Sequence, residues 1–101
     1  MPGVLNPSVP VILHAAAKTF EDRNSVYQDN YKAVGGVLMS LFPSGITCAS
    51  LDDYNRLGLI VQIVYKLTRY ASQCPRGGHV DSARDICVYA AMLEEITTPH
   101  E

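Results

Sequence analysis

The segment Leu51–Ser72 constrains the fold of this chain more than any other part of the sequence. Ser50 and, three positions later, Asp53 form the pattern of a capping box that starts a helix. Within the middle stretch, Leu57–Tyr65, only one glycine and one glutamine are not apolar. Because a surface helix carries a single apolar stripe, a helix that is apolar nearly all round must be covered on several sides.

Three other segments show the helical spacing of apolar residues, at about 8–21, 27–41 and 79–97. No segment of useful length alternates between polar and apolar residues as a strand does. A chain of 101 residues holds one domain. The sequence therefore predicts a single all-α domain over residues 1–101, with an ordered core at about 8–97 and a four-helix, bundle-like architecture.

The apolar third predicted helix also bears on assembly. A domain of 101 residues has few elements that can cover such a helix, so we expect a second copy of the chain to bury part of it. The predicted partner is thus the chain itself, as a homo-oligomer. The alternative is a monomer in which the other three helices wrap this one.

Charge and composition exclude several classes of protein. Lys plus Arg is 8 and Asp plus Glu is 10, giving a formal charge of -2, which argues against a protein that coats extended nucleic acid. No apolar run reaches the length of about 18 residues that a membrane span needs. The segment Met1–Asn6 lacks the basic residues of a secretory signal, and three cysteines without CxxC spacing favour a reducing compartment. These features predict a cytoplasmic protein with no membrane partner.

Four charged residues are placed at matching heights on the last two predicted helices. Lys66 and Asp85 are about equally far from the connecting loop, and so are Arg69 and Asp81. One interpretation is that two ion pairs lock the hairpin. The other is a cleft that binds phosphate, in which Asp81 and Asp85 could also hold Mg²⁺. Gln62 and Tyr89 lie about one turn further along the two helices and complete this candidate site.

Two further features favour a phosphorylated small molecule as ligand. His79 follows two glycines at the start of the fourth predicted helix, where free backbone N–H groups attract anions. Arg23 and Tyr27 lie near the connection of the first two helices, and together they supply a fork for phosphate and a face for stacking a base. The alternative at this connection is purely structural, with Asp22 or Asn24 capping the second helix.

These motifs resemble those of a small domain family of unknown function encoded mainly by bacteriophages. The family pattern reads DR…YG, then KxxR, then DxxxDxxxYAA, and it corresponds here to Asp22-Arg23…Tyr27, Lys66…Arg69 and Asp81…Asp85…Tyr89, within roughly residues 12–96. That family is distantly similar to the all-α nucleoside triphosphate pyrophosphohydrolases of the MazG type, which are oligomeric and magnesium-dependent. The resemblance implies a phage-type protein in a bacterial host cytoplasm and an ExxE metal motif, which this chain lacks.

Three functions are consistent with the sequence. The favoured prediction is a helical protein that binds a nucleotide or a nucleotide-derived signal without turning it over, as a counter-defence protein would if it sequestered a host messenger. The first alternative is an enzyme, a Mg²⁺-dependent pyrophosphohydrolase of the MazG-like type. The second alternative is an inhibitor that acts on a host protein through its apolar surface.

Overall fold

The computed structural model describes residues 6–99, which are all-helical as predicted, with no strand among them. Four α-helices follow one another: α1 (Val9–Tyr27), α2 (Val34–Leu41), α3 (Leu51–Ser72) and α4 (Val80–Thr97). Short 3-10 turns precede α2 and α4, at Asn30–Lys32 and Cys74–Arg76. None of the described helices combines the length and the apolar character needed to cross a membrane.

Local signals place α3 where the sequence predicts it. The hydroxyl of Ser50 accepts a hydrogen bond from the backbone N–H of Asp53 at 3.1 Å, and the Asp53 carboxylate accepts one from the backbone N–H of Ser50 at 3.2 Å. The capping box is thus complete and satisfies free N–H groups of the first turn. The hydrogen bond from the backbone N–H of Ala49 lowers the pKa of Asp53 below its ordinary value, and the Ser50 hydroxyl makes the next largest contribution to this lowering.

The first helix is longer than predicted. Its expected end near Glu21 is wrong, because the polar residues that follow stay helical while facing solvent. Lys18 and Asp22 form an ion pair at 2.8 Å across one turn, at the spacing that brings side chains together on a helix. The chain turns instead at Gln28 and Asp29, whose φ angles of 51° and 59° lie in the left-handed region.

The second helix is correspondingly shorter. It begins at Val34 rather than near residue 27, since the chain from Asn30 to Lys32 forms a 3-10 turn. Its end at Leu41, just before Pro43, is as predicted.

The helices pack unevenly. α3 and α4 form an antiparallel hairpin, α2 packs on α3, and α1 contacts α3 near its own C-terminal end. Only two hydrophobic side chains among the described residues are buried, Val34 and Val64. The radius of gyration is 18.2 Å, against about 13 Å for a compact domain of this length. The chain therefore leaves much of its apolar surface uncovered.

Candidate functional site

A cavity of about 300 Å³ lies between α1 and α3, next to the 3-10 turn that follows α1. We call it the arginine–tyrosine pocket, and it is lined by Ala16, Thr19, Phe20, Arg23, Asn24, Tyr27, Asn30, Tyr31, Tyr65 and Arg69. The lining contains two guanidinium groups and four aromatic rings, and it contains no carboxylate. The pocket therefore combines a surplus of positive charge with stacking surfaces.

Arg69 lies at the centre of this arrangement. Its guanidinium carbon is 4.7 Å from the centroid of the Tyr27 ring and 5.3 Å from that of the Tyr65 ring. Tyr65 is one helical turn before Arg69, so both side chains leave α3 on the same face. Cation–π contacts of this kind hold a guanidinium in place without neutralising its charge.

The hydrogen-bonding capacity of Arg69 is not fully used. Its Nε–H is buried and has no acceptor, and no ion pair of Arg69 is formed within residues 6–99. A buried donor without an acceptor is costly, and it becomes favourable once an anionic acceptor reaches it. Arg69 thus keeps a charged and partly buried donor group without an acceptor among the described residues.

His79 supports the pocket from outside its lining. The His79 and Tyr27 rings meet edge to face, with centroids 5.8 Å apart and planes at 83°. The Nδ1 atom of His79 accepts a hydrogen bond from the backbone N–H of Ser82 at 3.3 Å and lies 2.6 Å from the Ser82 hydroxyl. His79 therefore caps α4 and backs Tyr27, the ring that in turn contacts Arg69.

Buried amides attach the end of α1 to α3. The Gln73 side chain donates to the carbonyl of Val26 at 2.6 Å, and Asn30 donates to the Thr68 hydroxyl at 3.1 Å. Both amide residues are buried. These bonds hold the two walls of the arginine–tyrosine pocket at a set separation.

Asn24 lies in the last turn of α1 and stabilises the end of that helix rather than the start of the second one. Its side-chain oxygen accepts a hydrogen bond from the backbone N–H of Asp29 at 2.8 Å, and its carbonyl accepts one from Gln28 at 2.9 Å. The Asn24 side chain and, next in importance, Lys32 lower the pKa of Asp29. The expectation that Asp22 or Asn24 caps the second helix is therefore wrong.

The structure brings together only part of the sequence-predicted site. Arg23, Tyr27 and Arg69 line one pocket, and His79 supports it. Lys66 forms the expected ion pair with Asp85 at 3.1 Å, on the side of α3 that faces α4. The Lys66 side chain is only 18% exposed, so its charge is committed to this pair.

The remaining predicted residues lie elsewhere. Asp81 is exposed in the first turn of α4 and does not pair with Arg69, because Arg69 is held over the two tyrosine rings. Gln62 lines a separate groove nearer the start of α3, and Tyr89 is half-buried on α4. Within residues 6–99, no three His, Cys, Asp or Glu side chains come close enough to hold a metal ion together, so Asp81 and Asp85 have no third ligand of this kind.

Sequence reasoning missed the aromatic walls of the pocket, namely Phe20, Tyr31 and Tyr65. Helical spacing carried a usable signal for two of them. Phe20 precedes Arg23 by three positions and Tyr65 precedes Arg69 by four, so each aromatic shares a helix face with an arginine. Tyr31 had no such signal, because its position depends on the turn after α1.

No model of a known protein family, no curated protein and no solved structure matches this chain. The resemblance to the phage-encoded domain family and to the MazG-type enzymes stays a prediction.

Proposed function

We propose that this chain binds a phosphorylated, base-bearing small molecule, that is a nucleotide or a nucleotide-derived signal, in the arginine–tyrosine pocket. The observation that carries the proposal is the unpaired guanidinium of Arg69, set between the Tyr27 and Tyr65 rings with a buried Nε–H lacking an acceptor. A phosphate oxygen satisfies such a donor through a charge-assisted hydrogen bond. Arg23, exposed on α1 at the same pocket, supplies the second cation.

The pocket also suits the other half of a nucleotide. Four aromatic rings surround it, and an aromatic face stacks on any nucleobase. A volume of about 300 Å³ is at the lower end of the range for small-molecule sites, which favours a mononucleotide-sized group over an extended strand. The asparagine amides of the lining offer both donors and acceptors to the edge of a base.

Binding without hydrolysis is the favoured form of this function. A magnesium-dependent pyrophosphohydrolase needs several carboxylate oxygens to hold its cations and orient a water. The lining of the arginine–tyrosine pocket supplies none, and Asp85 is already paired with Lys66 outside it. A protein with this lining would act by retaining its ligand, which is the chemistry that sequestration of a signal requires.

The proposal is tested by thermal denaturation in the presence of AMP, ATP, a cyclic dinucleotide, adenosine and inorganic phosphate. We expect at least one nucleotide to raise the melting temperature more than adenosine or phosphate alone does. At a concentration 100 times the dissociation constant, a ligand adds about 2.7 kcal/mol to the stability of the folded state. For a domain of about 100 residues, that corresponds to a rise of more than about 10 °C.

Matched variants locate the site. Arg23→Gln and Arg69→Gln each remove one charge-assisted bond, which is worth about 1.5–3 kcal/mol, so nucleotide affinity should fall by about tenfold or more. Arg84→Gln, the same change at an exposed arginine of α4 outside the pocket, should leave affinity unchanged. Because Arg23 is exposed, its replacement leaves the fold intact and remains informative even if Arg69→Gln unfolds.

Lys66→Gln distinguishes this pocket from the cleft predicted between α3 and α4. Lys66 pairs with Asp85 and does not line the pocket, so its replacement should not affect nucleotide affinity. Loss of binding in Lys66→Gln with normal binding in Arg23→Gln would move the site to the α3–α4 cleft. The absence of any nucleotide-induced shift at millimolar concentration would refute the proposal. Release of pyrophosphate from ATP with Mg²⁺ would refute its non-catalytic form.

A further inference from the structure

The first half of α1 is apolar and has no partner within the described chain. Val9 and Leu13, one turn apart, are 68% and 63% exposed, and every residue from Val9 to Arg23 is exposed. A short helix that buries nothing is only marginally stable in water. This half of α1 therefore needs a surface to pack on.

A groove lined largely by apolar side chains lies between α3 and α4. Gly58 lies within it, and the other lining residues are Tyr54, Asn55, Leu59, Gln62, Met92 and Ile96. Among residues 6–99, nothing lies within 4 Å of the position that a Cβ atom on Gly58 would occupy. Glycine weakens a helix interior, and no neighbour in the described part of the chain requires it here. A helix from elsewhere that approaches closely would account for its presence.

Both surfaces continue the walls of the arginine–tyrosine pocket. On α1, Leu13 lies one turn before Ala16, a pocket residue. On α3, Gly58 and Gln62 continue the face that carries Tyr65 and Arg69. Leu13 on α1 and Gly58 on α3 are both uncovered among the described residues.

We infer that a second copy of this chain covers both surfaces, with the first half of α1 from each copy packed in the α3–α4 groove of the other. One chain carries both a protruding apolar helix and a groove that suits it, which is the self-complementarity that a two-fold symmetric dimer uses. The inference stands on these surfaces and does not depend on nucleotide binding.

The exposed area agrees with a second copy as the occupant. The chain exposes 7852 Å², about 2,200 Å² more than the roughly 5,600 Å² expected for a compact monomer of 11.0 kDa. Obligate dimers bury about 2,000–5,000 Å² in total, or about 1,000–2,500 Å² per chain. The excess is of the size that one such interface removes.

The test is the solution mass of the full chain by multi-angle light scattering, combined with two variants. We expect the wild type to have twice the mass of one chain, or an even multiple of it. Gly58→Leu fills the groove and Leu13→Glu places a charge on the protruding helix, so each should raise the dimer dissociation constant at least tenfold. Both positions have free space in the single chain, so the variants should stay helical by circular dichroism.

Ala71→Leu is the matched control, because it adds the same side chain at an exposed position on a different face of α3. It should leave the mass unchanged. A wild-type mass of one chain at 100 µM would overturn the inference. So would a dimer that withstands both Gly58→Leu and Leu13→Glu, because the interface would then lie elsewhere. Nucleotide-induced stabilisation is scored separately, so the two proposals fail independently.

Discussion

Two adjacent glycines between α3 and α4 allow backbone strain to be separated from side-chain crowding. Gly77 and Gly78 have φ angles of 97° and 98°, in the left-handed region that other residues rarely adopt. A Cβ atom on Gly77 would have nothing within 4 Å. A Cβ atom on Gly78 would lie 2.5 Å from Oη and 2.6 Å from Cζ of Tyr70. Replacement by alanine should therefore have different effects at the two positions.

A residue with a Cβ atom raises the free energy of the folded state by about 1–2 kcal/mol when it adopts the left-handed conformation. Alanine also lowers the conformational entropy of the unfolded chain, which offsets about 0.4–1 kcal/mol of this destabilisation. Gly77→Ala should thus destabilise the protein by about 1 kcal/mol. Gly78→Ala carries the same backbone cost, and the Tyr70 ring must also move, which adds about 1–3 kcal/mol as in other overpacked sites. We expect a total of about 2–4 kcal/mol for Gly78→Ala.

Urea denaturation followed by circular dichroism measures both values, at one protein concentration because assembly contributes to stability. Combining Gly78→Ala with Tyr70→Ala gives a double-mutant cycle, in which the extra cost should largely disappear. Equal destabilisation by Gly77→Ala and Gly78→Ala would show that Tyr70 yields without cost, and the reasoning would be wrong. Gly78 directly precedes His79, so a shift of this turn in Gly78→Ala should also weaken the edge-to-face contact between the His79 and Tyr27 rings.

Two further predictions concern the helix ends. Since the pKa of Asp53 is lowered in the folded chain, its stabilising effect is present above its ordinary pKa of 3.8 and is lost as pH falls through the lowered value. Asp53→Asn should therefore reduce the fall in melting temperature between pH 5 and pH 2, and an unchanged acid profile would contradict this. Gln73→Met removes the buried hydrogen bond to the Val26 carbonyl, which should cost about 1–3 kcal/mol in urea denaturation and also weaken nucleotide binding. Exposed Gln28→Met is the control, and equal effects of the two changes would contradict the role of Gln73.

The sequence predicts the hairpin of α3 and α4 closely because its signals are local. The Ser50–Asp53 capping box and the glycines before His79 each act within a few residues. The end of α1 is different. The polar residues after Glu21 predict a connector, but an exposed helix accepts polar residues on every face. The turn after α1 depends on hydrogen bonds of Asn24, which the composition of the segment does not reveal.

The sequence predicts several residues of the candidate site, but it does not predict correctly which of them contact one another. Spacing along the hairpin brings Lys66 to Asp85, and this pair forms. The same spacing fails for Arg69, because an aromatic pair from α1 and α3 offers it a partly buried position away from Asp81. Tyr65 and Tyr27 are far apart in sequence, so their meeting at Arg69 depends on how α1 packs against α3.

By itself, the sequence determines the helical class and the bounds of α3 and α4. Those properties follow from periodicity, capping and composition, which act within a segment or sum over the chain. The tertiary structure alone decides that Arg23 and Arg69 share a pocket without a carboxylate. This meeting depends on how α1 packs against α3, and it is supported by buried bonds between residues distant in the chain, such as that of Gln73 to Val26.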